Sequence, residues 1–166
     1  MRFEKVSLDA FMKEMRRNGF KEGYLTAYKN IKIPERKTKY SCGYDFVTPV
    51  DFTLHPGDTI VIPVGIKAIF EPYEAEKYCL QLFVRSSVGI RQEVVLSNGT
   101  GIIDADYAEN IDNEGCMLMA LYNRGDHYRH FKAGDRIMQG VFTRYGTVND
   151  DEVITERVGG VGSTNG

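Results

Sequence analysis

The sequence predicts one all-β domain, a sandwich or barrel of short strands, with a short helix near its N-terminus. Two observations carry this prediction. The length of 166 residues suits a single domain, and neither a repeat nor a second compositional region is visible. From residue 44 onward, short runs of β-branched and aromatic residues alternate with Gly, Pro, Asn and Asp, which favour turns between strands.

The first predicted element is a helix over residues 7–17, packed on the domain. Ser7 suits the N-cap because its hydroxyl can accept from a free backbone N–H, and Asn18-Gly19 suits the C-terminal end. The apolar side chains recur at helical spacing and define one buried face: Leu8, Phe11, Met12 and Met15.

Strands are expected in the region that follows this helix. The clearest runs cover residues 59–68, 78–84, 93–97, 117–122 and 136–142. Among the turns between them, the pair Asn98-Gly99 is the strongest hairpin signal, since this dipeptide adopts the left-handed conformations that tight hairpins need.

Three regions are expected along the chain. A helical extension covers residues 1–25, the β-domain covers 26–150, and a C-terminal tail covers 151–166. The last ten residues include four glycines and few side chains able to pack, so the tail is expected to be mobile.

Composition excludes several classes of protein. The formal charge of −2 argues against binding to nucleic acid through bulk positive charge. No apolar run approaches the roughly 20 residues that span a bilayer, and the charged N-terminus lacks a signal-peptide pattern, so we expect a cytoplasmic protein with no membrane partner. Three widely spaced cysteines favour neither disulfides nor a zinc site.

Residues suited to binding an oxyanion lie at the end of the run 78–84. Arg85 supplies a fork of charged donors, and Ser86 and Ser87 add hydroxyl groups. Asp104 follows two β-branched apolar residues, where its carboxylate can orient or deprotonate a water molecule. Tyr107, three residues later, offers a flat ring as a platform.

Two further segments carry polar groups of the same kind. Arg136 and Gln139 follow the turn at Gly134-Asp135, and Arg157 precedes a run of glycines and hydroxyl residues that resembles a phosphate cradle. Each segment alone has an ordinary structural explanation. Together they indicate a phosphorylated small molecule, whose Mg²⁺ would be held mostly by the phosphates.

Five segments in this order resemble the five motifs of the homotrimeric dUTP pyrophosphatases (dUTPases). Their positions are residues 33–45 with Ser-Cys-Gly-Tyr-Asp at the end, Arg85-Ser86-Ser87, residues 98–107 with Gly-Ile-Ile-Asp-Ala-Asp-Tyr, residues 134–139, and residues 157–164. The third is the most specific, and the occurrence of all five in order is a strong signal.

The resemblance implies a distorted jelly-roll or β-clip barrel, a homotrimer, and three active sites built from all three chains. The implied reaction is hydrolysis of dUTP to dUMP and pyrophosphate. By resemblance, Asp104 and Gln139 are catalytic, Asp104 activating the water, and Asp45 holds Mg²⁺ through water. Arg136 supports the site structurally.

The residues that the resemblance assigns to the substrate fall into three groups. Arg85, Ser86, Gln139 and Arg157 would hold phosphates. Asn98 would read uracil with nearby backbone, and Tyr107 would lie under the deoxyribose. The full substrate-binding set is Arg85, Ser86, Ser87, Asn98, Gly101, Ile103, Tyr107, Arg157, Gly160, Gly162, Ser163 and Thr164.

The sequence departs from the family pattern at several places. Val161 replaces an aromatic that stacks on uracil, Glu109 replaces a glycine, and residues 108–115 resemble a short insertion. Ser87 replaces a glycine and resembles the related dCTP deaminases, but Ala120 stands where those enzymes carry their catalytic Glu. A broader pyrimidine nucleotide hydrolase and a nucleotide-binding regulatory trimer remain the alternatives.

Overall fold

The computed structural model describes residues 1–155, 157 and 159–161. Its described part contains eleven strands, three α-helices and two short helical turns of other types, Ser87–Arg91 and Ala105–Tyr107. In chain order they are β1 (Arg2–Lys5), α1 (Leu8–Arg17), α2 (Tyr24–Asn30), β2 (Tyr44–Val47), β3 (Phe52–Leu54), β4 (Thr59–Pro63), β5 (Ile66–Ile69), α3 (Pro72–Ala75), β6 (Tyr78–Val84), β7 (Val94–Leu96), β8 (Gly101–Ile103), β9 (Leu118–Asn123), β10 (Arg129–Phe131) and β11 (Arg136–Arg144).

The strands pair antiparallel in four sheets. The largest has the order β2-β11-β6-β8, and a second has the order β4-β9-β7. Two-stranded ladders join β1 to β5 and β3 to β10. The predicted all-β class is confirmed as a mostly-β fold that also contains helices, and the described ladders do not join into one continuous barrel.

The N-terminal helix is confirmed and belongs to the main core. Ser7 Oγ accepts a hydrogen bond from the Ala10 backbone N–H at 3.2 Å, as an N-cap does. Phe11 and Met15 are fully buried in the same apolar cluster as the strands. Strand β1 adds to this attachment through its ladder with β5. The packing of α1 therefore depends on the β-domain.

Several sequence expectations need correction. The hairpin at Asn98-Gly99 is wrong, because β7 pairs with β9 whereas β8 pairs with β6. The run 59–68 is two strands, interrupted where Gly65 adopts a φ of +69°. A side chain at Gly65 would collide with Ile31, so both the packing and the positive φ require glycine here. The short strand β10 lies outside the runs that the sequence analysis identified.

No described helix is both long and apolar enough to cross a bilayer.

We predict that Phe11→Ala lowers the free energy of unfolding by about 3–5 kcal/mol, because it leaves a cavity beneath α1. The measurement is chemical denaturation followed by circular dichroism. Leu25→Ala is the control, since Leu25 is 61% exposed on α2. Equal losses in the two variants would contradict the assignment of α1 to the core.

Candidate active site

The segment that begins at Arg85 lies next to the end of the segment 33–45, and three charged side chains form a cluster there. We call Asp45, Arg85 and Arg136 the guanidinium cluster. Arg85 Nε lies 2.9 Å from Asp45 Oδ1, and Arg136 Nη1 lies 3.0 Å from Asp45 Oδ2. Two cations share one carboxylate, so the cluster keeps a net positive charge. Its unused N–H donors suit a second anion.

Sheet register explains why these residues meet. On β11, Gln139 faces Asp45 of β2 on one side and Phe83 of β6 on the other. Arg85 directly follows β6, and its backbone N–H donates to the Ile137 carbonyl of β11 at 2.8 Å. The three strands thus deliver Asp45, Arg85 and Gln139 to one edge, beside a cavity of about 320 Å³ that Ser86 also lines.

Gly43 makes room for the amide of Gln139. A Cβ at Gly43 would lie 2.6 Å from Gln139 Oε1 and 3.4 Å from its Cβ and Cδ. The glycine before Tyr44 therefore serves a close approach between side chain and backbone, and its φ is not positive.

The two serines after Arg85 take different positions. Ser86 is exposed and lines the cavity with Gln139. Ser87 opens a single π-helical turn, Ser87–Arg91, and lines a neighbouring cavity of about 280 Å³ with Arg85 and Arg136. Both serines lie beside the guanidinium cluster.

Asp104 lies in a second charged group, formed where β8 ends. Arg157 Nη2 lies 2.9 Å from Asp104 Oδ2, and Arg157 Nε lies 3.0 Å from Asp106 Oδ1. The guanidinium also lies 5.6 Å from the centre of the Tyr107 ring. We call these four residues the aspartate group. Asp104 remains half exposed and borders a cavity of about 670 Å³.

Tyr107 is held from behind by hydrogen bonds. Its hydroxyl donates to the Cys116 carbonyl at 3.1 Å and accepts from Asn113 Nδ2 at 3.0 Å. Burial raises the pKa of the Tyr107 phenol to about 12, although the Asn113 hydrogen bond acts in the opposite direction. The phenol therefore stays protonated at neutral pH, and its ring orientation is defined.

The guanidinium cluster and the aspartate group lie at opposite ends of β6. Ile103 pairs with Leu80 in the ladder, and Asp104 shares its cavity with Cys79. Arg85 is six residues beyond Cys79, which corresponds to about 20 Å along an extended strand. One chain therefore does not bring Asp104 and Arg85 together.

The remaining substrate-binding candidates line β8 and its approach. Asn98 is exposed in the turn before β8. Gly101 pairs with Leu82, and the following Ile103 is buried. These residues lie along β8 and the turn before it, between the guanidinium cluster and the aspartate group.

The described part of the tail reaches the aspartate group of its own chain. Gly160 is buried, and a Cβ there would lie 3.0 Å from Asp112 Oδ2 and 3.2 Å from Asn113 Nδ2. Val161 is 76% exposed. Gly162, Ser163 and Thr164 lie outside the described residues.

Within the described residues, no three His, Cys, Asp or Glu side chains are grouped in a way that suits a metal ion. Each carboxylate oxygen of Asp45 already meets a guanidinium group. This donor set fits a divalent cation that arrives on phosphates and meets the protein through water, rather than one held by a protein cage.

Sequence reasoning missed the residues that support Tyr107. Asn110 Nδ2 donates to the Tyr107 carbonyl at 2.7 Å, and Asn113 holds the hydroxyl. A signal was present, because Asn and Asp cluster at 110–113, and such side chains often hydrogen-bond to nearby backbone. The partner of each amide could only be read from the fold.

Comparisons with known proteins agree with this arrangement. The dUTPase family model matches residues 29–165. A deoxyuridine 5'-triphosphate nucleotidohydrolase of Lactococcus lactis is 40% identical over 144 residues, covering 84% of this chain and 93% of that protein. A protein of the same name from Xanthomonas oryzae is 37% identical over 110 residues, covering 64% of each.

Solved structures give the same result at the level of the fold. The dUTPase from Streptococcus mutans aligns with a TM-score of 0.68 and 28% identity, over 90% of this chain and 99% of that chain. A variant dUTPase from phage phi11 of S. aureus, described with a structural Mg(II) ion, aligns with a TM-score of 0.62 over 76% of this chain and 92% of that one. Its identity is 22%, so it supports the fold alone.

We predict that Gly43→Ala displaces the Gln139 amide and weakens binding of tripolyphosphate on the order of tenfold, the effect of losing one hydrogen bond to a charged group. Isothermal titration measures the affinity. The thermal midpoint should change little, because the nearest atom is the end of a flexible side chain.

The control for this variant is Gly146→Ala, since no atom lies within 4 Å of a Cβ at Gly146. Unchanged affinity in Gly43→Ala would show that the Gln139 amide does not contact the anion.

Proposed function

The chain belongs to the dUTPase family, and we propose that it hydrolyses dUTP to dUMP and pyrophosphate. One observation carries the mechanism. A half-exposed aspartate beside a fixed aromatic ring lies at one end of β6, and the guanidinium cluster, with its net positive charge, lies at the other. Together they provide a water-activating group and a phosphate site.

Asp104 takes the role of general base. Its carboxylate orients a water molecule, accepts the proton, and directs the oxygen to the α-phosphorus of dUTP. The α–β phosphoanhydride bond breaks, and pyrophosphate leaves. Arg157 now shares its donors between Asp104 and Asp106. When substrate binds, Arg157 turns these donors toward the phosphates and frees Asp104.

The guanidinium cluster takes the role of phosphate site. Arg85 supplies charge, and Ser86, Ser87 and Gln139 supply further donors. Arg136 acts mainly by bracing Asp45, because its Nη1 donates to that carboxylate. The donors are in place before substrate arrives, so little reorganisation is needed as charge develops.

Specificity for a deoxyuridine nucleotide comes from the strand β8 region and the tail. Tyr107 lies under the deoxyribose and leaves no room for a 2′-hydroxyl. Asn98 and the backbone at Gly101 and Ile103 read uracil. Gly160, Gly162, Ser163 and Thr164 complete the phosphate contacts from the tail.

Asp45 would hold Mg²⁺ through water, and the ion would offset the charge of the phosphates. The triphosphate itself would supply most of the other ligands.

We further propose that the protein acts as a homotrimer in which each site takes Asp104 and Arg85 from different chains. The separation of about 20 Å along β6 within one chain supports this arrangement. A symmetric assembly brings the two ends of neighbouring chains together three times.

The deaminase alternative lacks a proton-transfer group at the matching place. Ala120 lies on β9 and pairs with Val61, and its methyl side chain carries no acid or base. A mixture of dUTP, dCTP, dTTP and UTP, separated by anion exchange after reaction, distinguishes the candidates. dUMP alone supports the proposal, whereas dUTP from dCTP, or no turnover, contradicts it.

We predict that Asp104→Asn lowers kcat by about 10²–10⁴-fold, because the water loses its base. Nucleotide affinity should persist, as measured by titration with α,β-imido-dUTP. Asp106→Asn is the matched control, since Asp106 is equally exposed and pairs with the same arginine. Equal losses in both variants would contradict the role of Asp104.

Mixed trimers test the shared site. We predict that co-expressed Asp104→Asn and Arg85→Ala chains recover about a quarter of wild-type activity, the share of sites that random mixing leaves intact. Asp104→Asn mixed with the Asp104→Asn/Arg85→Ala double variant is the control and should stay inactive. No recovery in the first mixture would assign both residues to one chain.

A further inference from the structure

Residues 108–115 connect the N-terminal helix to the aspartate group, and we call them the bracing loop. Three acidic side chains of this loop attach it to three separate places. Glu109 pairs with Lys67 of β5, whose side chain is almost buried. Asp112 pairs with α1, and Glu114 accepts from the Ser7 backbone N–H at 2.8 Å and from its hydroxyl at 2.6 Å.

The attachment at Asp112 is the most extensive. Arg17 forms a bidentate salt bridge with the Asp112 carboxylate, with Nη1 2.9 Å from Oδ2 and Nη2 2.7 Å from Oδ1. Lys13, one turn earlier on α1, adds a contact of 2.6 Å to the Asp112 carbonyl. Hydrogen bonds from Arg17 and Lys13 lower the pKa of the Asp112 carboxyl to about 2, so Asp112 is ionised under assay conditions.

The loop conformation is one that its sequence does not favour by itself. Glu109 and Glu114 adopt φ angles of 60° and 57°, in the left-handed region where side chains other than glycine are strained. The outside contacts of these same two glutamates hold the loop in this shape. Loss of an attachment therefore favours a different loop conformation.

Side chains on the inner side of the bracing loop hold Tyr107. Asn110 donates to the Tyr107 carbonyl at 2.7 Å and to Asn113 Oδ1 at 2.8 Å. Asn113 in turn donates to the Tyr107 hydroxyl at 3.0 Å. Both ends of Tyr107 are thus held by a loop that α1 holds at Asp112.

The same loop also meets the tail. The backbone at Gly160 lies so close to Asp112 and Asn113 that an added Cβ would fall 3.0–3.2 Å from their polar atoms. Asp112 therefore contacts α1 and also lies close to the backbone of the tail at Gly160. A displacement of Asp112 would alter both Tyr107 and the tail.

We propose that Arg17 and Asp112 form a positioning pair that sets the discrimination between deoxyribose and ribose. The proposal rests on the proposed function, because it assigns Tyr107 to the sugar. A 2′-hydroxyl is rejected by lack of space, so rejection depends on how firmly the ring is held. Arg17 contacts neither sugar nor phosphate and acts through Asp112 and Asn113.

The test is the ratio of kcat/KM for dUTP to kcat/KM for UTP. Arg17→Gln and Asp112→Asn are each expected to lower this ratio about five- to tenfold, chiefly by raising turnover of UTP relative to dUTP. The double variant should lower it by less than the product of the two single effects, since both changes break the Arg17–Asp112 contact. Each change also removes a second contact, Arg17 to Glu14 at 2.9 Å and Lys13 to Asp112 Oδ1 at 3.1 Å, so Glu14→Gln and Lys13→Gln are measured beside them. Arg17→Lys should recover part of the ratio.

Arg16→Gln is the matched control, because Arg16 is the neighbouring arginine on α1 and its guanidinium lies 5.3 Å from the centre of the Tyr24 ring, away from the bracing loop. Its ratio should equal that of the wild type. If Arg17→Gln only destabilised the protein, kcat/KM would fall by the same factor for dUTP and for UTP, and their ratio would not change. An unchanged ratio would overturn the proposal.

The two proposals fail in distinguishable ways. If the wild-type protein turns over no nucleotide, the proposed function fails whatever Arg17 does. If the wild type prefers dUTP and Arg17→Gln keeps that preference, only the positioning pair fails. Affinities for α,β-imido-dUTP and α,β-imido-UTP give a second measure that does not depend on turnover, and their ratio should fall in the same variants.

Discussion

The pairing of β11 with β2 on one side and β6 on the other is the constraint on which the candidate site depends. This register places Gln139 beside Asp45, and it allows the Arg85 backbone N–H to donate a hydrogen bond to the Ile137 carbonyl. Strand β8 then extends the sheet from β6 and carries Asp104 to the opposite end. A slip of one residue would turn these side chains to the other face.

Charge pairing is the second feature that unites the site. Asp45 is held by two arginines, and Asp104 shares Arg157 with Asp106. Unpaired charges at partly buried positions are costly, so the pairs keep the groups in place without substrate. In the proposed mechanism, a highly charged triphosphate competes for the same guanidinium donors.

The N-terminal segment links stability to the chemistry of the site. Helix α1 buries Phe11 and Met15 in the core and presents Lys13 and Arg17 to the bracing loop on its outer side. The core contacts determine where the helix lies. The charged contacts of the helix hold the bracing loop, and the bracing loop holds Tyr107. A segment that appears as an extension in the sequence is therefore part of the support of the site.

The sequence by itself determined the mostly-β class, the helix over 7–17, strand 78–84 and the motifs that indicate a nucleotide phosphate, because local periodicity and residue chemistry specify these features. Tertiary structure alone decided which strands pair, including that β7 and β8, on either side of Asn98-Gly99, pair with different strands. It also decided that Asn113 holds Tyr107, and that Asp104 and Arg85 lie at opposite ends of β6. The strand pairings join segments distant in sequence, and their energies come from packing and register, which no local pattern encodes. Asn113 and Tyr107 are only six residues apart, but their contact depends on a loop conformation that distant contacts with α1 and β5 hold.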